Sequence, residues 1–502
     1  MLFNSLEFVT FFVVVFTLYW ATVRWAGVAT MVLLLASLLF YACWNPLYLL
    51  LIIASSGVDF LVGGKLFRVA SPRRRKALLI GSLVYNLGVL ALFKYFNFFM
   101  ESLGEGATWL DKVLMSYDLI EAPILHGAKW LTIRLDALLP VGISFFTFQS
   151  MSYTIDVYRG ELEPVGEGEG RAWWHPMHFA RYLLFVSFFP QLVAGPIVRA
   201  RDLLPQLKLR PVVTDAMAGR GLYLILLGLF KKVVIADFLA LNLVDRTFTM
   251  TTGFSSLEVL VGIYGYAFQI YCDFSGYSDI AIGAALLLGF RFPDNFNAPY
   301  IARNLQEFWH RWHISLSSWL RDYLYIALGG NRGGARKTYR NLMLTMLLGG
   351  LWHGAGWNFV IWGALHGVAL AVLRAWQRAR ARVGLGPLFP FAVGRVVAAL
   401  ITFHYVCFAW IFFRATTLEQ AQTVIEQLGE LTWHTTNLDV RVLAILGVAV
   451  AMHVVPRRWF DEVVAAFTRL PATVQAVGAV VAGLGIQAMA SADAVPFIYF
   501  QF

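Results

Sequence analysis

Charge is scarce in this chain. Asp, Glu, Lys and Arg make up 14% of its 502 residues, against about a quarter in an ordinary soluble protein, which argues against a soluble globular enzyme. Cysteine is scarcer still. Cys43, Cys272 and Cys407 lie scattered in hydrophobic stretches, an odd set without metal-type spacing, so neither a disulfide framework nor a zinc site is expected. They read as small buried packing residues. No stretch of soluble composition interrupts the apolar runs, so residues 1–502 read as a single membrane-embedded domain with a core region of about 139–415. A phosphate loop is also missing: Gly329-Gly-Asn-Arg-Gly-Gly334 lacks the strand–turn–helix context and the terminal Lys-Ser/Thr, and reads as a tight connection. No basic residue precedes the first apolar stretch, Phe8–Tyr19, and no small-residue cleavage site follows it, so it is expected to stay as a helix.

What is present is hydrophobic: 59% of the residues. Apolar runs fall at approximately 7–20, 29–54, 78–100, 138–155, 180–198, 219–240, 256–286, 341–351 with 356–373, 394–413, 440–455 and 472–490. They are apolar all round, which disfavours a β-barrel and predicts an all-α polytopic membrane protein. About ten to thirteen crossings are expected, some long runs hiding two passes, a tilt or a break. The net charge of +10 does not point to nucleic acid, because the basic residues gather in short loops. Lys65–Lys76 holds Arg68, Arg73, Arg74 and Arg75 without an acid, and Arg199–Arg210, Arg332–Arg340 and Arg374–Arg382 are mainly basic. Glu101–Glu121 (Glu101, Glu105, Asp111, Asp118, Glu121 against Lys112) and Glu419–Asp439 are acidic. The positive-inside rule makes the basic set cytoplasmic. Residues 159–178 read as a solvated loop.

Against this background His313 and His353, forty positions apart, stand out. An ionisable ring inside a membrane protein is a functional candidate, and imidazole titrates close enough to neutrality to move protons. His313 lies in Glu307-Phe-Trp-His-Arg-Trp-His-Ile-Ser-Leu-Ser. From Asn304, the residues Leu305, Phe308, Trp309, Trp312, Leu316, Trp319, Leu320 and Tyr323 recur at three- and four-residue steps, predicting an interfacial or re-entrant helix with one aromatic face. Such backbone survives at membrane depth only against protein or a water-filled cavity. His313 and His353 are expected to converge in a solvated hollow there, although whether His310 or His313 faces it depends on helix rotation. His310 and His313 are one turn apart, but two imidazoles without a third ligand do not make a metal site. His353 is flanked by Gly349, Gly350, Trp352, Gly354, Gly356 and Trp357; small residues admit either a neighbouring helix or a ligand. On one unbroken helix His366 would lie about 20 Å from His353 on nearly the opposite face, a structural rather than reacting position. His404, Asp156, Gln191, Asp273 and Asp279 are further polar insertions, with ion pairing or hydrogen bonding across helices the simplest use.

Several segments together carry a resemblance: Phe40-Tyr-Ala-Cys-Trp-Asn-Pro, Asn86-Leu-Gly with Phe93-Lys-Tyr-Phe-Asn-Phe-Phe, Leu139-Pro-Val-Gly-Ile-Ser-Phe-Phe-Thr-Phe-Gln, Ser152-Tyr-Thr-Ile-Asp-Val-Tyr-Arg-Gly, Phe188-Phe-Pro-Gln-Leu-Val-Ala-Gly-Pro-Ile, Asp273-Phe-Ser-Gly-Tyr-Ser-Asp, the two histidine motifs and the ending Phe497-Ile-Tyr-Phe-Gln-Phe. In order and number they resemble the membrane-bound O-acyltransferases, most closely the bacterial alginate O-acetylation branch. The resemblance implies a ring of helices around a funnel, with His353 at the principal catalytic position and His313 at the second, where many eukaryotic relatives have asparagine. Trp312, Trp352, Asn358, Ser317 and His310 are the expected substrate contacts around them. It further implies an inner-membrane O-acetyltransferase without a resident cofactor or metal. The donor would be cytoplasmic, such as acetyl-CoA, and the recipients a periplasmic acetyltransferase partner and an exported polysaccharide. Rival readings keep the fold and change the polymer (peptidoglycan, cellulose, D-alanylated teichoic acid), or make the chain a non-catalytic acyl-group transporter.

Overall fold

In the computed structural model the described residues are 1–117, 119, 123, 133–135, 139–193, 195–384, 392–490 and 496–498. Asp118, Glu121 and the last four residues of the terminal motif lie outside them. Among the described residues the secondary structure is helical without strands. Four helical stretches are long and apolar enough to cross a membrane: Tyr48–Arg68, Pro72–Ser116, Trp357–Val383 and Ala392–Arg414. Val440–Val454 with Arg457–Thr468 makes a fifth if it is one span bent by 93°. Leu6–Thr22, Ala26–Ala42 and Ala472–Ala488 are apolar but 17 residues each. Among the described residues, length and apolarity alone thus mark four crossings, or five with the bent pair. The remaining apolar runs form helices that are short, interrupted, or polar and enclosed by protein.

The axis of the molecule is one such enclosed helix, Ser256–Leu287, unbroken over 32 residues and buried along most of its length. Its start is fixed by a capping box: the Ser255 hydroxyl accepts the Glu258 N–H and the Glu258 carboxylate accepts the Ser255 N–H. Gln269, Asp273, Ser275 and Ser278 can stay in its buried faces because protein, not lipid, surrounds them. Close approach to the preceding helix, Asp215–Leu229, depends on facing glycines. A methyl group on Gly276 would come 2.7 Å from the Gly228 carbonyl oxygen, and one on Gly283 2.5 Å from that of Gly221. Past Leu229 the backbone loosens into a π-helix, Phe230–Asp237, which places Lys231 and Lys232 opposite the acids of the axial helix. Lys231 pairs with Asp279 at 2.7 Å, and Lys232 with Asp237 at 2.7 Å and Asp273 at 2.8 Å. Buried charge needs such partners.

A second polar tie joins three helices. Fully buried Asp59 on Tyr48–Arg68 accepts from Ser82 and Asn86 on Pro72–Leu90 and from Ser150 and Thr154 on Ile143–Arg159. The tight connection expected at Gly329–Gly334 is there, with positive φ at Gly329, Gly330, Gly333 and Gly334.

Alanine at Gly276 should therefore lower the stability of the detergent-solubilised protein by about 1–3 kcal/mol, the usual range for overpacking. Alanine at Gly478, where a methyl group meets nothing within 4 Å, should not. Equal thermal unfolding of the two variants would refute the contact.

Candidate active site

The aromatic segment predicted as one helix from Asn304 to Tyr323 is broken at its most important residue. Leu305–Trp309 ends, His313 takes a left-handed conformation (φ 42°, ψ 57°), and Ile314–Trp319 begins. The reason is a competing partner. The Asn297 N–H donates to the Arg311 carbonyl at 2.9 Å and the Ile314 N–H to the Asn295 carbonyl at 2.9 Å, so an extended stretch takes up backbone groups that a helix would have used internally. Glu307 anchors the first half, accepting from Arg303 Nε at 2.9 Å and Arg311 Nη2 at 2.9 Å. Burial alone would raise the Glu307 carboxyl; hydrogen bonds from Arg303 and Arg311 reverse that and hold it below the usual range.

The same stretch orients the ring of His313. Asn295 Nδ2 donates to Ser278 Oγ at 3.1 Å, which leaves Asn295 Oδ1 as the acceptor for His313 Nδ1 at 3.1 Å and Ser315 Oγ at 2.9 Å. The network thus assigns the proton of a neutral His313 to Nδ1 and leaves Nε2 with its lone pair. Nε2 is buried and has no hydrogen-bond partner among the described residues. Phe274 closes one side edge-on, with centroids 4.6 Å apart.

His353 is the last residue of the helix Ala335–His353. The carbonyls of a helix end need outside donors, and a preceding span provides them. Lys94 Nζ donates to the carbonyls of Trp352 at 2.7 Å and His353 at 3.0 Å, and Tyr95 Oη to that of Leu351 at 2.8 Å. The chain then breaks over Gly354–Gly356 and returns as Trp357–Val383. The glycines beside His353 were expected to open space for a ligand or to admit a helix, and the structure decides for the helix. A methyl on Gly350 would meet the Phe359 carbonyl oxygen at 2.2 Å, and one on Gly363 the Met346 carbonyl oxygen at 2.4 Å.

The two imidazoles share one indole. Trp352 lies 6.1 Å from His313 and 5.1 Å from His353 between ring centroids. They meet in dense aromatic packing, not in an open hollow: His313 is 0% and His353 3% exposed, with Trp362 and Phe413 completing the wall around His353 at 5.0 and 5.2 Å. His366 requires a correction. Because the helix breaks at Gly354–Gly356, the following helix folds back and sets Trp362 5.0 Å from His353; His366, one turn after Trp362 and 4.7 Å from it, is therefore one indole away from His353 instead of about 20 Å along a single helix. Neither of its nitrogens has a partner among the described residues.

A cavity of about 540 Å³ borders the segment that carries His313, lined among others by Trp309, His310, Ser317, Arg321, Arg374 and Gln377. Of the expected substrate contacts, His310 and Ser317 face this space, while His313 turns to Asn295 and does not. Trp352 stands between the imidazoles. Trp312 is buried against Trp410 and Phe308, and the Asn358 amide is used on the Ala415 carbonyl at 2.6 Å, so neither lines the cavity. Two indoles separate the cavity from His353: Trp309 in its wall, then Trp362, 5.8 Å further by centroid. Elsewhere, Asp156 accepts from Tyr323 Oη at 2.8 Å, His404 Nε2 lies 2.8 Å from Tyr264 Oη, and Gln191 donates to the Phe185 carbonyl at 2.6 Å. At the chain's end, the Ile498 N–H donates to Asp273 at 2.8 Å, and Phe497 packs on Tyr277 and Phe274, the latter the ring that abuts His313.

Lys94 and Asn295 were not picked out from the sequence. Lys94 carried a signal, a lone cation inside the apolar run 78–100; Asn295 carried none, since its role depends on a distant backbone break.

The sequence profile of the membrane-bound O-acyltransferase family matches residues 125–419. The chain is 40% identical over 409 residues to the peptidoglycan O-acetyltransferase of Helicobacter pylori, spanning 78% of this chain and 72% of that protein. It is 42% identical over 415 residues to a probable alginate O-acetylase of Pseudomonas aeruginosa, spanning 82% and 71%. With a probable alginate O-acetylase of Azotobacter vinelandii it shares 40% identity over 456 residues, 89% and 82% of the two chains.

Replacing Lys94 with methionine removes hydrogen bonds to two helix-end carbonyls and should cost about 2–3 kcal/mol, while Tyr95→Phe, which removes one bond, should cost about 1 kcal/mol. Thermal unfolding in detergent checks the order; a Tyr95→Phe effect as large as that of Lys94→Met would count against the cap.

Proposed function

This chain belongs to the membrane-bound O-acyltransferase family, and from that premise we propose that it is an inner-membrane enzyme passing acetyl groups from a cytoplasmic thioester to an exported or cell-envelope polysaccharide. The observation that carries the reading is the convergence of His313 and His353 on Trp352, where the segment that carries His313 borders a cavity with a basic rim. Arg374 in that rim makes no ion pair with a described residue, and Arg321 pairs with Asp322 at 2.7 Å. Guanidinium groups suit the phosphates of a donor such as acetyl-CoA, which enters as substrate and not as a resident cofactor.

In the proposed step an acceptor hydroxyl oxygen attacks the thioester carbonyl carbon, and its proton passes to the His353 ring. The C–S bond then breaks, and the thiolate takes that proton. The alternative route forms a transient acyl-imidazole on His353, which rapid-quench detection of hydroxylamine-labile acetyl on the protein, absent from the His353 variant, would reveal. Binding developing negative charge needs an N–H, whereas the Asn295 contact leaves Nε2 of the neutral ring as an acceptor. We therefore place His313 as the group that receives or holds a proton.

The first acceptor is proposed to be a serine of a periplasmic acetyltransferase, which then modifies the polymer. The polymer itself is left as a class, because relatives named for peptidoglycan and for alginate are equally similar to this chain. The non-catalytic transporter is set aside by family membership.

His353→Ala should lower acetyl transfer in reconstituted vesicles by at least about 100-fold, the lower end for loss of a positioned acid–base group, with folding unchanged. Full activity in that variant would end the assignment. Asparagine tolerates the left-handed backbone at 313, whereas a β-branched residue does not. His313→Asn should thus fold normally and lose activity, while His313→Val should also lose about 1–2 kcal/mol of stability. Equal stability of these two variants would refute the backbone argument.

A further inference from the structure

A second cavity, of about 430 Å³, lies away from the histidine pair, between the helices Ala392–Arg414 and Val440–Val454. Its volume is that of a small-molecule site. Val396, Leu400, Phe403, Val450 and Val454 form its sides, and Phe268 and Tyr300 its floor. Val396, Leu400 and Val454 are more than half exposed, so the groove opens toward the surroundings of the protein, which for these helices is the bilayer. Cations stand only on its two arginines, Arg303 and Arg395. Both belong to the side of the molecule that carries the basic connections: Ala392–Arg414 follows the basic stretch Arg374–Arg382, and Val440–Val454 ends just before Arg457 and Arg458. Arg303 shares Glu307 with Arg311. Arg395 is exposed and has no ion pair or hydrogen bond with a described residue, although no carboxylate lines the groove.

The inner wall adds a hydrogen-bond donor. His453 is 3% exposed, and its Nε2 accepts the Tyr300 N–H at 2.9 Å, so the proton of the neutral ring is on Nδ1. Nδ1 is buried without a partner among the described residues, which is costly unless something accepts from it.

We propose that this groove binds an anionic glycerophospholipid of the basic-side leaflet. Arg395 and Arg303 hold its phosphate, and an acyl chain runs along Leu400, Phe403 and Val450. Each chemical element of the site has its counterpart in that molecule. Guanidinium matches phosphate, and the apolar walls match the chain. The site would also tie lipid composition to the catalytic segment, because Arg303 contacts Glu307, which anchors the stretch leading to His313, and Tyr300 packs 6.0 Å from Trp312.

The test is native mass spectrometry of the full chain in detergent, titrated with phosphatidylglycerol or phosphatidylethanolamine. The wild type should retain phosphatidylglycerol preferentially. Arg395→Gln should reduce that preference about fivefold, the effect of removing one basic residue facing an anionic lipid surface. Arg336→Gln, which removes an equally exposed arginine on the same side, should leave it unchanged. Val450→Trp, filling the groove without altering charge, should lower binding of both lipids; Leu400→Trp does the same should the first variant misfold. A photo-crosslinker at position 400 should capture lipid. Equal effects of the two arginine variants, full lipid retention with the groove filled by either tryptophan, or capture of a protein at position 400 would each overturn the proposal.

Discussion

Backbone polar groups released by a helix break inside an apolar protein must find partners, and the candidate site is assembled from the two places where this happens. At His313 the released groups pair with the extended stretch around Asn295 and Asn297. At His353 the exposed carbonyls are met by Lys94 and Tyr95. Each imidazole sits where the chain changes direction because that is where a helix presents a side chain at its end instead of along its flank. Each is then held by residues far away in sequence. Trp352 joins the two breaks into one aromatic cluster.

The same constraint explains what could be read beforehand. Apolar runs and the scarcity of charge are local properties, so the helical membrane class and most helix positions were legible, including the separation of Ala335–His353 from Trp357–Val383. The two histidines were legible because an imidazole among tryptophans is conspicuous at the level of a single residue. The break at His313 was not, because the three- and four-residue periodicity of its aromatic neighbours continues undisturbed across it. Only the pairing with residues 295–297 decides the backbone there. His366 was misplaced for the related reason that a distance counted along a helix assumes the helix is whole. The axial helix Ser256–Leu287 shows the opposite error: its length suggested a break or two passes, yet facing glycines and paired acids keep it continuous.

The comparison with relatives sets a limit on what this arrangement specifies. Proteins named for peptidoglycan and for alginate are each about as similar to this chain as the other. Acyl activation is the same chemistry whichever hydroxyl receives the group, so a histidine pair of this kind is compatible with both.

The left-handed backbone at position 313 has a bearing on how the histories of such chains are interpreted. A site with φ near 42° excludes most of the amino-acid alphabet before any chemistry is considered, leaving glycine, asparagine, aspartate and histidine as the comfortable occupants. The histidine found here falls inside that short set, as an asparagine would. Persistence of either during descent is thus what steric filtering alone would produce, and invariance at this position would be weaker testimony to catalysis than invariance at 353, where an ordinary helical backbone imposes no such filter.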